Sequence, residues 1–490
     1  MATLPAQIAV VLSGGTLLLC VLQLAAYRPV IFVSFFFILF TLVWRTAASM
    51  YIDLAGPVLS TQTFSYVGPG LMTPLHVLAY FLSLIPFFFL LRQSLVDDWL
   101  RDADRSRAAP GMLTLSDLTF IVSLFFLSYL FLDLVRHGSI PLFARIERFV
   151  YTQKYAGGAH RWLIQYGNFV AFWWGVMFAA ERLRNHRLDI RYLGMLGILM
   201  AYMFLTGNRF SAFYSFCSFF VIPLAGVIAA GVRDDQSAVP FSWIGKTFRR
   251  RELIAFIAVA VLAAIASSVG IYNNLTNVRQ FQGDEILSQF LERLLVQPSE
   301  LGWISYERVF AFGQWQPERV FDFLFRAPLD ASKNTTPQFL MLETIGEPRT
   351  YEHISGGFQF AGGFPEIFFE LFGPLYAWPF IFGAGYIAAG LTAVVVKGVI
   401  QGRYASAFLS LYVLFGFYVM YIGGMLNFIA TPVYWIKIAA LAVALLLEAR
   451  LAAAGLPLVP WALLRVPAFC RLRAFRSRPA GKRPSRGYNL

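Results

Sequence analysis

The run Tyr351-Glu352-His353-Ile354-Ser355-Gly356-Gly357-Phe358-Gln359-Phe360-Ala361-Gly362-Gly363-Phe364-Pro365-Glu366 holds the densest set of chemistry-bearing residues in the chain, and Phe368, Phe369, Glu370 and Gly373 follow it. His353 and Glu366 can accept and return a proton. Imidazole titrates near neutrality, and a carboxylate desolvated at the mouth of a membrane helix is pushed towards general-base range. A lone histidine is more often structural than catalytic, but this one stands in a glycine-rich setting. Paired glycines let the backbone approach a ligand closely. Gln359, flanked by Phe358 and Phe360, offers a hydrogen bond between rings able to stack on sugar faces.

Arginines form the second population. Arg209 closes Thr206-Gly207-Asn208-Arg209, a very short turn between two apolar runs. There Gly207 permits a tight turn and Arg209 points a guanidinium into an outer-face cavity, against the plainer reading of an arginine snorkelling at a helix end. Arginine costs about 2.5–3.5 kcal/mol to insert at a helix centre and less near the interface. Arg279 follows the polar turn Asn273-Asn274 just past the eighth apolar run, which brings it near Arg209, and Arg349 precedes the glycine-rich stretch. Guanidinium forks match phosphate oxygens bidentately, so Arg209, Arg279 and Arg349 are the candidate contacts to a diphosphate. Arg308 and Arg319 are expected to pair with acids such as Asp284, Glu292, Glu307, Glu318 or Glu347.

Other chemistries lack their residues. The absence of a GxxxxGK[ST] run excludes a P-loop ATP-driven pump within this chain, and no HExxH occurs. The first outer loop, expected over residues 45–70, holds a single acid, Asp53, rather than the paired carboxylates that would bind a divalent metal. Cys20, Cys217 and Cys470 are too far apart in sequence to suggest a disulfide framework or a zinc site. No metal and no cofactor is expected. Acids inside the apolar runs are nearly absent, Asp133 being the main exception. A transporter usually carries ionisable residues at the midplane, whereas here they crowd one face.

The elements that must position these residues follow from composition. Of 490 residues, 58% are hydrophobic and 14% charged, and mean hydropathy is +0.62, against about 25% charged in a soluble domain. The solvent for most of this chain is lipid. Apolar segments at 5–26, 29–49, 71–91, 115–135, 162–180, 191–206, 210–231, 252–272, 374–396, 405–423 and 432–449 each approach the roughly 17–25 residues a spanning helix needs. The expected fold is all-α, a polytopic helical membrane protein of about eleven transmembrane helices, compatible with a GT-C-like architecture. It divides into helices over 1–272, a large outer loop over 273–373 carrying short amphipathic helices such as 285–295, further helices over 374–449 and a basic tail over 450–490. Aromatics of that loop, among them Trp303, Phe310, Phe312, Phe321 and Phe325, would hardly be left solvated.

The net charge of +13 divides by membrane side. The tail from Arg450 to Arg486 has nine basic residues and no acid, while Met1 to Tyr27 has no Lys or Arg. The positive-inside rule then places the C-terminus in the cytoplasm and the N-terminus outside. These basic residues lie between and after apolar runs, so they set topology and meet anionic lipid rather than nucleic acid.

The helix count with one large outer loop, the TGNR turn ending in Arg209, and the HISGGFQFAGGFPEIFFELFG stretch from His353 to Gly373 resemble the Wzy-type O-antigen or exopolysaccharide repeat-unit polymerases of the bacterial inner membrane. That resemblance implies a glycosyltransferase that joins undecaprenyl-diphosphate-linked oligosaccharides on the periplasmic side. Its implied partners are those lipid-linked oligosaccharides, membrane lipids, a chain-length regulator and a flippase. Such a donor carries its own leaving group, so arginines can stabilise the departing diphosphate while His353 or Glu366 takes the acceptor proton. Two alternatives stand beside it: an O-antigen ligase, which uses a similar donor, and a flippase or transporter for a lipid-linked glycan.

Overall fold

The computed structural model describes residues 3–60, 62–106, 112–138, 140–144, 146, 148–185, 189–208, 210–233, 239–273, 276, 282–325, 338–355 and 362–454. Every one of the eleven apolar segments is helical. In chain order the helices are α1 (Leu4–Tyr27), α2 (Phe36–Ala55), α3 (Met72–Leu90), α4 (Met112–Arg136), α5 (Gly158–Asn185), α6 (Ile190–Leu205), α7 (Phe210–Val221), α8 (Leu224–Val232) and α9 (Arg250–Asn273). After the long polar segment come α14 (Glu366–Gln401), α15 (Tyr404–Gly423) and α16 (Pro432–Ala453). Within that segment lie α10 (Asp284–Leu295), α11 (Glu300–Tyr306), α12 (Gln338–Ile345) and α13 (Glu347–Ser355), together with shorter turns of helix.

Six helices among the described residues are long and apolar enough to cross a membrane: α1, α2, α3, the stretch Leu115–Ala144, α14 and α15. A seventh is gained if α7 and α8, bent by 44° at a short break, form one span. The chain is therefore an all-α membrane protein. Ile190–Leu205 and Glu252–Leu262 are apolar but shorter, so among the described residues six or seven of the about eleven expected spans are both long and apolar enough to cross a membrane.

The core is aromatic. Phe35 lies 4.3 Å from Phe87 and 5.7 Å from Tyr421, ring centre to ring centre, pairs that each add about 0.5–1.5 kcal/mol beyond area burial. α14 runs along both α3 and α15. Gly385 of α14 faces the Ser83 backbone of α3 so closely that a β-carbon there would stand 2.8 Å from Ser83 Cα. Small residues at such contacts let apolar helices approach where lipid supplies no hydrophobic drive.

Two departures from the expected elements shape the site. The apolar run expected to end at 49 continues as helix to Ala55, so Arg45 and Asp53 sit in α2 rather than in a loop. The run expected from 374 is preceded by helix from Glu366, with a break at Gly373, whose φ of 73° is followed by Pro374. Glycine tolerates that left-handed conformation and proline has no N–H to continue the ladder. Residues 366–372 thus form a separate buried turn above the long part of α14.

Between α2 and α3 the chain forms the one sheet among the described residues, an antiparallel hairpin of β1 (Val58–Ser60) and β2 (Ser65–Val67) pairing Val58 with Val67, Leu59 with Tyr66 and Ser60 with Ser65. Val67 and Ser60 turn inward and Tyr66 outward. The amphipathic pattern at 285–295 is realised as α10. Loop aromatics divide: Trp303 packs with Ile52, Val67 and Met72, whereas Phe312, Phe321 and Phe325 are at least 60% exposed on the protein itself.

Candidate functional site

Arg45 organises the end of the bundle that carries the long segment. A lone arginine in an apolar helix must find partners for all its donors, and this one has three. Its Nε donates to Pro298 O at 3.1 Å, Nη1 donates to Phe364 O, and Nη2 meets the Glu366 carboxylate. Both side chains of the ion pair are buried. Glu366 also accepts from the Gly363 N–H at 3.1 Å. One guanidinium thereby fixes the chain on both sides of the segment, before α11 and after the glycine-rich stretch.

The same cluster holds groups that sequence reasoning passed over. His76 and Tyr80, about one turn apart on α3, are buried beside the pair, and both feel the charges of Arg45 and Glu366. Gly302 of α11 lies against both His76 and Glu366: a β-carbon there would stand 2.6 Å from His76 Cε1 and 2.8 Å from Glu366 Oε1. His76 Nδ1 and Tyr80 Oη are buried without hydrogen-bond partners, which marks unspent hydrogen-bonding capacity along one face of α3. The signal was available: an arginine within FTLVWRTAA, and Thr73, His76 and Tyr80 at helical spacing.

Glu300 begins α11 fully buried, accepting from Ser60 Oγ at 2.7 Å through one oxygen. Burial pushes its carboxyl up to about 8, opposed by the Ser60 hydroxyl and assisted by the Glu292 charge. Ser299 Oγ donates to Arg45 O at 2.8 Å. Asp53 accepts from the Thr73 and Met72 N–H groups at 2.7 and 3.4 Å and so caps the first turn of α3. The acid expected in a loop is a helix cap.

Of the residues singled out from sequence, Arg349 and His353 lie on α13, a helix where a glycine-rich loop was expected. At i and i+4 they share one face of it. Arg349 is exposed, with its guanidinium 4.4 Å from the centre of the Phe64 ring at the tip of the hairpin. Phe64 holds φ at 54°, an uncommon setting for a bulky residue. His353 is half-buried. The turn end of the hairpin thus meets both helices, Phe64 touching Arg349 of α13 and Ser60 donating to Glu300 of α11.

Arg308 and Arg319 do pair with acids, and these include two that the sequence reading did not name: Arg308 meets Glu343 and, at 3.5 Å, Glu370, while Arg319 meets Glu343 at 3.1 Å. These bridges join α12 to the buried turn of α14.

Arg209, Arg279, Phe358, Gln359 and Phe360 lie outside the described residues. The turn before Arg209 is described. Gly207 has φ of 75°, as a tight turn requires, and Asn208 Nδ2 donates to Thr206 Oγ1 at 3.1 Å. Gly207 faces Pro141 and Arg148, and Gly270 of α9 faces the Asn208 carbonyl. The end of α9 that leads towards residue 279 is therefore beside the 206–208 turn.

Residues 330–446, which include α12, α13, α14 and α15, are similar to a family of unknown function (DUF6418). No curated protein and no solved structure matches the chain. Among the described residues no group of three or more His, Cys, Asp or Glu side chains could hold a metal ion.

Proposed function

We propose that the chain is a Wzy-type glycosyltransferase that joins undecaprenyl-diphosphate-linked oligosaccharide repeat units into O-antigen or exopolysaccharide at the periplasmic face of the bacterial inner membrane, with its N-terminus outside and its C-terminus in the cytoplasm. The observation that carries this reading is the pairing of Arg349 and His353 on one face of α13, held beside the hairpin by Phe64. A cation for a diphosphate and a titratable imidazole are what the transfer needs within reach of one another.

In the reaction, an acceptor hydroxyl oxygen attacks the anomeric carbon of the donor glycan. The bond from that carbon to the diphosphate breaks and the diphosphate leaves with the bonding pair. His353 takes the hydroxyl proton, and Arg349, with Arg209 and Arg279, offsets the charge growing on the leaving group. Phe358, Gln359 and Phe360 contact the sugars. Glu366 is the other candidate base, but its carboxylate is engaged by Arg45 and the Gly363 N–H, so it serves to hold the glycine-rich stretch in place.

The test is the glycan profile of a deletion strain complemented with wild-type, Arg209→Ala, Arg349→Ala or His353→Ala protein. Loss of long polymer with retention of single-repeat products supports the reading. Bare acceptor core in the deletion strain would make the chain a ligase, and lipid-linked units held on the cytoplasmic face would make it a flippase.

A further inference from the structure

Lys437 puts a cation on the packed side of an apolar helix. Tyr434 and Leu441, both buried, stand at i−3 and i+4 from it on α16 and so share its face, while Val433, Trp435 and Ile436, each more than half exposed, form the outward side. A lysine on that outward side would snorkel along lipid to water. Lys437 instead is half-buried and holds its ammonium 3.8 Å from the centre of the Tyr412 ring on α15. Among the described residues no carboxylate stands within ion-pair distance of it and no acceptor takes its protons. A charge among apolar residues without a counter-ion is costly, and a ring face offsets only part of that cost.

Tyr412 stands between the two helices, touching Phe169 of α5 edge to face at 4.8 Å as well as Lys437 of α16. Phe408 and Phe415, also half-buried, continue its face of α15. The level is that of the lipid headgroups. Lys437 lies about 8 Å along the helix axis from Pro432, the first residue of α16. The turn Asn427–Ala430 before that helix packs on Val320–Phe325 of the long polar segment. Trp435 Nε1 donates to Ile429 O at 2.8 Å, a ring with an apolar body and a satisfied polar tip, as membrane–water interfaces favour.

We propose that Lys437, steadied over Tyr412, binds the phosphate of one resident anionic phospholipid whose acyl chains lie along the face of α15 formed by Phe408, Tyr412 and Phe415. The charge count chooses this occupant. A phosphodiester carries one negative charge and suits one ammonium, a compact charge with three rotatable donors. A diphosphate carries more charge and is matched by guanidinium forks, which this place does not offer: α15 has no charged residue, and Arg161, at the near end of α5, donates to the carbonyls of Thr152 and Gln153. The lipid supplies the counter-ion that the fold lacks and binds α16 to the bundle through α15.

The experiment is photo-crosslinking of the full-length protein in phosphatidylcholine nanodiscs that hold, as a minor component, phosphatidylglycerol or phosphatidylcholine with a diazirine in one acyl chain, the labels being mapped by peptide mass spectrometry. Labelling at 408–415 and 434–441 should be about tenfold higher with the phosphatidylglycerol probe, the preference one charge-assisted hydrogen bond gives. Lys437→Met should bring it down to the phosphatidylcholine level while labels on α1, which has no charged residue, stay unchanged, and Lys437→Arg should keep most of it. In detergent, added phosphatidylglycerol should raise the melting temperature of the wild type and not that of Lys437→Met. The comparison of the two probes on the wild type needs no variant. Equal labelling by both probes, or labelling undiminished in Lys437→Met, would overturn the site. Loss of the phosphatidylglycerol label on adding equimolar undecaprenyl diphosphate would give the place to the carrier lipid and overturn the phospholipid. No arm measures glycan transfer, so this site and the proposed reaction stand or fall separately.

Discussion

Arg45 and Glu366 are 321 residues apart in sequence and form an ion pair whose side chains are 4% and 0% exposed. Removing one partner of such a pair leaves the other charged and buried, at a cost of about 3–5 kcal/mol, whereas replacing both by apolar groups of similar volume is often neutral. Arg45→Met and Glu366→Leu are each expected to lower the melting temperature and yield of the purified protein severely. The double variant should recover much of the loss. Thermal unfolding in detergent, followed by tryptophan fluorescence, checks this, and single variants that melt with the wild type would refute it.

Gly302 makes a second prediction. Alanine in a helix ordinarily gains about 1 kcal/mol over glycine, yet here its methyl would fall 2.6 Å from His76 Cε1, 2.8 Å from Glu366 Oε1 and 3.1 Å from Met72 Sδ. None of the first two can withdraw without disturbing the Arg45 pair. Gly302→Ala should therefore destabilise the protein, while Gly245→Ala, which meets nothing within 4 Å, should leave stability unchanged or slightly improved. Equal melting of the two variants would remove Gly302 from the packing argument.

The protonated Glu300 gives a pH dependence of fixed sign. Its carboxyl is raised to about 8 by burial, so between the ordinary carboxylate range and about pH 8 the folded chain binds a proton that the unfolded chain has released. Stability falls as pH rises wherever the folded state binds more protons. The contribution is thus a loss that grows through that window and levels off above it. Glu300→Gln keeps a hydrogen-bonding group for Ser60 without the titration. Its melting temperature relative to wild type should climb by several degrees from acid to mildly alkaline pH, and a difference that is constant with pH would exclude Glu300 as the source.

The helices were legible because lipid demands continuous apolar runs, and each such run became a helix. Arg349, His353 and Glu366 drew notice through residue type, and the tight turn at Gly207 through its spacing. What escaped was long-range. Arg45 looked like the edge of a loop because its partners, Pro298, Phe364 and Glu366, lie more than 250 residues further on. His76 looked like one more residue in an apolar helix, because nothing local reveals that Gly302 opens the space in front of it. Arg308 was rightly expected to pair, yet Glu343 and Glu370 could not be chosen over nearer acids without the packing of α12 against the buried turn before Gly373. Composition reports the solvent and local spacing reports the helix, but partners brought by tertiary packing appear in neither.

The contact between Arg349 and Phe64 yields the last prediction. A cation over an aromatic ring at an exposed site contributes about 0.5–1 kcal/mol, and here it sets where the guanidinium waits rather than what it binds. On the proposed polymerase reading, Phe64→Leu should accordingly raise the apparent KM for a lipid-linked donor by about twofold to fivefold, the equivalent of that energy, with kcat nearly unchanged. Arg349→Ala removes the charge itself. Charge-assisted hydrogen bonds contribute about 1.5–3 kcal/mol, so its kcat/KM should drop by about tenfold to a hundredfold, and Arg349→Lys should fall between, keeping the charge but not the planar fork. The two effects are not independent: once Arg349 is alanine, Phe64→Leu should add nothing, because the ring has lost the group it positions. Steady-state elongation by protein reconstituted with lipid-linked repeat units measures all four variants. If Phe64→Leu lowered activity equally in wild-type and Arg349→Ala backgrounds, the ring would act through the hairpin alone, and Arg349 would need another explanation for its place on the face of α13 that it shares with His353.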